Sequence, residues 1–575
     1  MNDQSNQSES ALQGKVADTG PMPIQEAIPI ETPSELTSVI NTLLEYYITQ
    51  LTAPKPATTP LIVDDIASHV AKVYELIRKV IDWKEDNALR RSAIERILKR
   101  LLFTKISVLS LTSNLNMSTV AETITLDLIR GGHLPNGVIP REKVSTIATI
   151  LIKYVSFIEH ARFSSSDPLI IKRKINFDTF VIELAACEIE ELLTDPFIES
   201  SLIHGMTQAM MERISVRPPE AMTQDEKYIQ TYIAVCRTLF DLDDGFITYH
   251  LLLFQYPDWK SPTPARQQEL DGDITTAWQQ IETILKHPLA KQFYVVSERV
   301  DTVFALIGDV LTEYKEKPTE IRQLISQKRV FLAKIGEYYD KRFATLKKRL
   351  FRLAVFSTLS VFVSNWFTYF IIEVPLASLF AEGFNLFTAI IDFVVPTAIM
   401  FGLVAIIRPP PASNRKHVID AVEKFVYAGF SPHYYEINAK APNRPIMGAF
   451  IGTVFTSATV FLIGAVGWIF WVARLPITSV AFDTFTITLT VFAAVIIRNK
   501  SKELTVGDKT TVIEFFLDMI SVPMAGIGSV LASKWKEYNV VAFLLTFLIE
   551  TPFAKVIDLI EQWSQLIKER RADLH

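Results

Sequence analysis

The chain has 575 residues, a formal net charge of −5 at pH 7 and 49% hydrophobic residues. Its length suggests roughly two to four domains, and its nearly balanced charge does not favour nucleic acid as a partner. Cys187 and Cys236 are the two cysteines, without histidine at ligand spacing, which excludes a disulfide framework and argues against zinc. We therefore expect no cofactor and no metal. The polar amino terminus predicts no signal peptide, so membrane insertion would come from internal segments.

The first half of the chain is predicted to be helical. Residues 1–35 are rich in Ser, Gln, Asn, Pro and acidic residues, which predicts a disordered tail. Across 36–316, apolar residues recur at steps of three and four between charged ones, which predicts an all-α, multi-helix domain. Breaks rich in Pro or Ser near 164–175 and 216–224 leave open whether this region is one domain or two.

Residues 317–350 are predicted to form an amphipathic stalk helix. Their apolar positions follow a period close to 3.5 residues, and no breaker separates them from the next apolar segment. We expect this helix to join a soluble part of the molecule to a membrane part. The apolar stripe consists of Ile321, Leu324, Phe331, Ile335, Tyr338, Phe343, Leu346 and Leu350.

The region 351–505 is predicted to be a polytopic α-helical membrane domain. A helix needs about 20 mostly apolar residues to cross the hydrocarbon core. Four segments approach that length, and Leu353–Ile372 carries no charged residue. The others are Phe384–Ile407, Ile446–Ala473 and Ile477–Ile497.

Basic residues predict the orientation of these four segments. They cluster before the first, between the second and third, and after the fourth, whereas the opposite short loops carry only Arg474. Because Lys and Arg favour the cytoplasmic side, the large amino-terminal domain and the carboxyl terminus are expected to be cytoplasmic. The connection between the second and third segments could contact anionic lipid headgroups or the helical domain.

The last 70 residues give two further predictions. Residues 506–550 either form re-entrant pieces or cross the membrane as fifth and sixth segments, since their apolar runs are short and interrupted. Residues 551–575 predict an amphipathic interfacial helix with a basic tail, which could lie on the membrane or in a groove of the helical domain.

Acidic residues inside apolar segments are the candidate polar site. A carboxylate in hydrocarbon is costly, so Asp392 either lines a functional path or holds helices together through hydrogen bonds. Glu514, Asp518 and Ser521 are spaced at i, i+4 and i+7, which places them on one helical face. That face could line a polar cavity or let helices approach closely.

Two similar stretches, FIIEVPLA and FLIETPFA, place a glutamate and a proline at the end of an apolar run. Glu373 and Pro375 belong to the first stretch, and Glu550 and Pro552 to the second. Proline suits the first turn of a new helix, and the residue before it leaves helical geometry. We therefore interpret both stretches as boundaries between an apolar segment and the membrane interface.

Two functional hypotheses follow from these patterns. The first is a multi-pass membrane protein acting as a membrane-anchored scaffold or regulator, whose helical domain binds a cytoplasmic protein partner or a second copy of the chain. The alternative is a transporter or channel in which intramembrane carboxylates line a polar path. An enzyme is the weakest hypothesis, because the sequence matches no catalytic motif.

Overall fold

The structure is a computed structural model, and it describes residues 34–52, 86–106, 116–161, 170–194, 196–370, 374–375, 386–439, 445–472 and 477–505. Seventeen α-helices and one two-stranded sheet form within these residues, which confirms the predicted all-α class. The predicted tail, the segment 506–550 and the carboxy-terminal helix lie outside the described residues.

The helical domain buries a continuous apolar core. Many of its helices pack against their neighbours in the chain, and Arg141–His160, for example, packs against both Met117–Arg130 and Ile170–Thr194. The fully buried side chains include Tyr47, Phe157, Phe177 and Trp259. The helices are α1 (Ser38–Thr52), α2 (Asp86–Ile106), α3 (Met117–Arg130), α4 (Arg141–His160), α5 (Ile170–Thr194), α6 (Phe197–Arg213), α7 (Gln224–Phe240), α8 (Asp244–Gln255), α9 (Pro264–Leu285), α10 (Ala290–Glu298), α11 (Asp301–Glu313) and α12 (Glu320–Ser326).

Local capping explains where several of these helices begin. Thr223 precedes α7 and forms a reciprocal capping box with Glu226, since each residue's side chain accepts a hydrogen bond from the other's backbone N–H. Asp243 caps α8 by accepting a hydrogen bond from the N–H of Phe246 at 3.2 Å. Asp241, at the end of α7, adopts φ 49°, a left-handed geometry that Asp tolerates better than most residues. Asp241 thus ends α7 and Asp243 begins α8, so the turn between the two helices is short.

Helix α13 (Lys328–Thr368) is 41 residues long and runs unbroken from the helical domain into the apolar region. The region predicted as a stalk therefore divides between α12 and α13, with the break at Gln327. The stripe residues Phe331, Ile335, Leu346 and Leu350 are buried. Since α13 packs against α11 and against α15 (Asn414–Val426), its first half is a wall of the helical domain.

Three further helices follow α13 in the apolar part of the chain. They are α14 (Leu386–Ile406), α16 (Pro445–Val472) and α17 (Ile477–Ser501). Helices α13, α14 and α17 contact one another, and α16 contacts α17. Of the helices described, none combines the length and the apolar character needed to cross a membrane. That result does not support the polytopic membrane domain predicted from the sequence, which stays a proposal.

The connection between α14 and α16 folds into the helical domain. Its strand β2 (Tyr435–Asn438) pairs in parallel with β1 (Ile214–Arg217), which follows α6. The register joins Ile214 to Tyr435 and Arg217 to Asn438. Strand pairing was not predicted from the sequence. It satisfies backbone groups of the connection within the domain.

Candidate functional site

Most residues of the predicted polar site lie outside the described part of the structure. Asp392 lies within α14, but its side chain is not among the described ones. Glu514, Asp518 and Ser521 also lie outside the described residues. The structure therefore places Asp392 on a helix that contacts α13 and α17, and it does not test the proposed Glu514 face.

The predicted boundary residues are described only in part. Pro375 is helical and exposed, and Val374 before it is helical and partly buried. Glu373, Glu550 and Pro552 lie outside the described residues. The helical geometry at Pro375 agrees with the preference of proline for a first helical turn.

A candidate site that sequence reasoning missed lies where the apolar helices meet the helical domain. We call it the junction, and it consists of Thr302, Tyr339, Arg349, Asn414 and the segment 503–504. Asn414 is 2% exposed, and its side-chain nitrogen donates to the hydroxyl oxygen of Tyr339 at 3.0 Å. The same nitrogen donates to the carbonyl oxygen of Leu504 at 2.6 Å. One amide thus links α13, α15 and the end of α17.

The segment after α17 makes two further contacts in the junction. The hydroxyl of Thr302, on α11, donates to the carbonyl oxygen of Glu503 at 3.2 Å. The Glu503 carboxylate forms an ion pair with Arg349 of α13. The end of α17 is therefore held by two helices of the domain.

The connection between α14 and α16 is bound to the domain on its other side as well. Tyr427 is buried and donates from its hydroxyl to the carbonyl oxygen of Ile325 at 2.7 Å. Thr37, near the start of α1, donates from its N–H to the carbonyl oxygen of Val426 at 2.9 Å. Hydrogen bonds from distant parts of the chain therefore hold the connection in place.

Helices α13 and α15 also approach closely at Gly336. A Cβ atom at this position would lie 2.5 Å from a guanidinium nitrogen of Arg415, closer than side chains can pack. Arg415 is held there by Asp340, at 3.0 Å. Glycine at position 336 thus lets the Arg415 side chain cross α13 and reach the carboxylate.

Two acids beside the junction have raised pKa values. The pKa of the Asp301 carboxyl is raised to about 7, mainly by burial and in smaller part by Glu298, against the hydrogen bonds from Thr302 and the charge of Arg342. Burial also raises the pKa of Glu298, against the opposing charge of Lys502. The Asp301 carboxyl, beside the junction, therefore changes its protonation near neutral pH.

An open cleft lies between α5, α8 and α9, with a volume of about 190 Å³. The rings of Phe180 and Trp278 form one wall, with centroids 5.6 Å apart and planes inclined by 30°. Glu183, Asp244 and Glu282 place three carboxyl groups around it. Aromatic faces and carboxylates both attract cations, so the cleft is suited to an ammonium or guanidinium group.

The carboxyl groups of the cleft differ in their surroundings. Asp244 pairs with Arg237 at 2.8 Å, and Glu282 pairs with Lys286 at 2.5 Å. Burial raises the pKa of Glu183, as does neighbouring Glu95, while Arg91 lowers it. Among the residues described, Glu183 is the one acid of these three without an ion pair to a basic side chain, so a cationic ligand would not have to displace a partner from it.

A third polar cluster is fully buried and holds the core together. The Lys153 ammonium donates to both carboxylate oxygens of Glu188 at 2.7 and 2.8 Å, and to the carbonyl oxygen of Trp259 at 2.8 Å. Tyr154 donates to Glu188 at 2.7 Å and accepts from the Trp259 indole at 3.0 Å. Burial lowers the pKa of Lys153, and Glu188 opposes that shift. This cluster joins α4, α5 and the turn before α9, and its burial separates it from any substrate.

Neither metal ligation nor thiol chemistry is indicated by the described residues. Within them, no group of three His, Cys, Asp or Glu side chains is placed to hold a metal ion. Cys187 and Cys236 are both buried and unbridged. Burial raises the pKa of each thiol, which disfavours the reactive thiolate.

Comparison of the chain with protein-family models, with curated proteins and with solved structures found no match.

Proposed function

We propose that this is a multi-pass membrane protein that acts as a membrane-anchored scaffold or regulator through its helical domain. The observation that carries the proposal is the junction, where Asn414 links α13, α15 and the segment after α17. A domain bound in this way moves together with the apolar helices. Its orientation toward a partner would therefore be set by the membrane part.

Support for the membrane comes from exposed apolar surface rather than from the length of any one helix. Val355, Leu359 and Trp366 lie on one face of α13 and are 47%, 52% and 47% exposed. Phe362 continues this face. Water-soluble proteins rarely expose contiguous apolar surface of this kind. Lipid would cover it without leaving polar backbone groups unsatisfied, since the helices satisfy their own.

The neighbouring helices continue this surface. Exposed large apolar side chains occur on α14, α16 and α17, and two tryptophans lie near the end of α16. Tryptophan favours the interface between hydrocarbon and headgroups, so Trp366, Trp468 and Trp471 suit one membrane boundary. The other exposed residues are Ile390, Val394, Phe401, Ile406, Val460, Phe461, Ile469, Val472, Phe485 and Ile496.

The cleft between α5, α8 and α9 is our candidate for partner binding. It combines the Phe180 and Trp278 rings with the Glu183 carboxyl, which suits a Lys or Arg side chain of a partner protein. The partner can be another protein or a second copy of this chain.

Membrane anchoring is tested by fractionating cells that express the full-length chain. Alkaline carbonate should leave the protein in the membrane pellet, and detergent should release it. Recovery in the carbonate supernatant would overturn the membrane part of the proposal.

Partner binding is tested by site-specific photo-crosslinking in intact membranes. A photoreactive residue at Glu282, which lines the cleft, should yield a discrete adduct that Trp278→Ala abolishes. The same residue placed at Glu269, also exposed on α9, serves as the matched control. Equal labelling at both positions, or labelling at neither, would refute the cleft as the partner site.

Transport is the second candidate, and buried acid in the apolar helices favours it. Asp483 of α17 is 4% exposed, and Asp392 lies in the adjoining α14. Carboxylates in such positions often mark ion pathways. Purified protein in liposomes should be assayed for ion or solute flux, with Asp392→Asn as the comparison. Flux that this substitution abolishes would favour transport over the scaffold.

A further inference from the structure

Four exposed basic side chains lie at the start of the apolar half of α13 and just after the end of α14. We call Lys347, Lys348, Arg352 and Arg408 the basic collar, and all four are exposed. Across the described parts of the chain, none of the four makes an ion pair with a carboxylate. Other basic side chains of α13 do pair, since Lys334, Lys341, Arg342 and Arg349 each contact an acid.

The collar lies where the exposed face of α13 changes from charged to apolar. Lys348 and Arg352 are separated by four residues and lie on the face that continues through Val355 and Leu359. Phe351, beside them, is 72% exposed. Within one helical turn the same surface therefore passes from cationic to apolar.

Arg408 belongs to a different part of the chain. It follows the end of α14, where Ile406 is exposed, and α14 contacts α13. Six residues later in the chain, Asn414 is hydrogen-bonded to Tyr339 of α13. Arg408 therefore lies in the short stretch between the end of α14 and a residue that is held in the junction.

We propose that the basic collar binds the headgroups of anionic phospholipids in the cytoplasmic leaflet. This inference rests on the proposed membrane function and names a lipid partner for it. A phospholipid supplies a phosphate for the cations and acyl chains for the adjoining apolar face, which matches the change of surface at Arg352. Each basic residue near an anionic leaflet strengthens binding by about fivefold. An acidic protein would satisfy the charges but not the apolar face.

The experiment measures lipid retention by the purified full-length protein. The protein is reconstituted into nanodiscs containing phosphatidylcholine and phosphatidylglycerol, then extracted in mild detergent for native mass spectrometry of the bound lipids. The test variant carries Lys347→Gln, Lys348→Gln, Arg352→Gln and Arg408→Gln. The matched control removes four exposed charges elsewhere, through Arg141→Gln, Lys172→Gln, Lys174→Gln and Lys291→Gln.

Wild type and control should retain more phosphatidylglycerol than phosphatidylcholine. In the collar variant the ratio of bound phosphatidylglycerol to bound phosphatidylcholine should fall at least tenfold. High ionic strength should weaken the preference, because salt screens exposed charges. A collar variant with unchanged preference would overturn the inference, as would displacement of the bound lipid by polyglutamate but not by competing anionic lipid. Insertion of every variant into pure phosphatidylcholine would then leave the proposed membrane function standing. Failure of wild type to insert into either lipid would instead refute that function.

Discussion

Asn414 and Leu504 lie 90 positions apart in the chain, yet a 2.6 Å hydrogen bond joins the side-chain amide of the first to the carbonyl oxygen of the second. The bond connects the segment that follows α14 to the segment that follows α17. Both segments return from the apolar helices at this point. The hydrogen bond therefore fastens both segments to each other at the junction.

Asn414→Ala should detach the end of α17 from the domain. Loss of the amide leaves buried acceptors without their donor, which typically costs about 1 to 3 kcal/mol of unfolding free energy. The melting temperature of the purified protein should fall accordingly. The backbone amides of residues 501–505 should exchange their hydrogens faster. Asn499→Ala, at an exposed site on α17, is the control. Unchanged exchange at 501–505 would contradict the assigned role.

Asp301→Asn should reduce the pH dependence of stability. Burial raises the pKa of Asp301 from an ordinary value near 3.8 to about 7, so the folded state holds this proton more tightly than the unfolded chain. Its contribution to stability is therefore greatest below the unfolded pKa and is lost as the pH rises towards about 7. Asparagine cannot ionise, and it can still accept the hydrogen bonds from Thr302.

The melting temperature of the full-length protein between about pH 4 and pH 7 checks this prediction. Wild type should lose stability more steeply than Asp301→Asn over that range. Asp258→Asn, at an exposed acid, should keep the wild-type slope. Parallel curves for wild type and Asp301→Asn would show that Asp301 does not control the pH response.

Glu188→Leu should destabilise the helical domain severely. The substitution leaves the Lys153 ammonium buried without its counter-charge, and breaking a buried ion pair typically costs about 3 to 5 kcal/mol. Chemical unfolding, monitored by the circular dichroism signal of the helices, measures the loss of unfolding free energy. The double variant Lys153→Met, Glu188→Leu should lose less than the sum of the two single variants, because it removes both charges. Additive losses would indicate that the pair is not coupled.

Gly308→Val should destabilise the contact between α6 and α11. A Cβ at this position would lie 2.6 Å from a methyl carbon of Leu202, which is itself buried. Overpacking of this kind costs about 1 to 3 kcal/mol. Gly272→Val on α9 is the matched control, since its Cβ meets nothing within 4 Å. Equal melting temperatures for the two variants would contradict the close approach seen at Gly308.

Some features were predictable from the sequence because they depend on nearby residues. The stripe from Phe331 to Leu350 has helical spacing, and the structure places a continuous helix there. Helix caps such as Thr223 with Glu226 also carry a local signature. In these cases the pattern and the contacts lie within a few turns of one helix.

The junction depends on partners that are distant in sequence. Strands β1 and β2 have four residues each and pair across more than 200 positions, so neither segment predicts the other. The partners of Asn414 and Tyr427 are likewise remote. The cleft escaped prediction for the same reason, since Glu183 and Trp278 belong to different helices. Only the folded arrangement brings such residues together.

Helix α13 extends from the helical domain to the apolar helices, so a tilt of the helix displaces one end relative to the other. Its 41 residues extend about 60 Å, with one half in the helical domain and the other beside the apolar helices. If the apolar helices lie in a membrane, as proposed, a bilayer that becomes thinner than the apolar surface would favour tilting of this helix. A tilt of about 5° would move one end by about 5 Å relative to the other. Since the junction fixes the domain to α13, such a tilt would displace the cleft relative to the proposed bilayer.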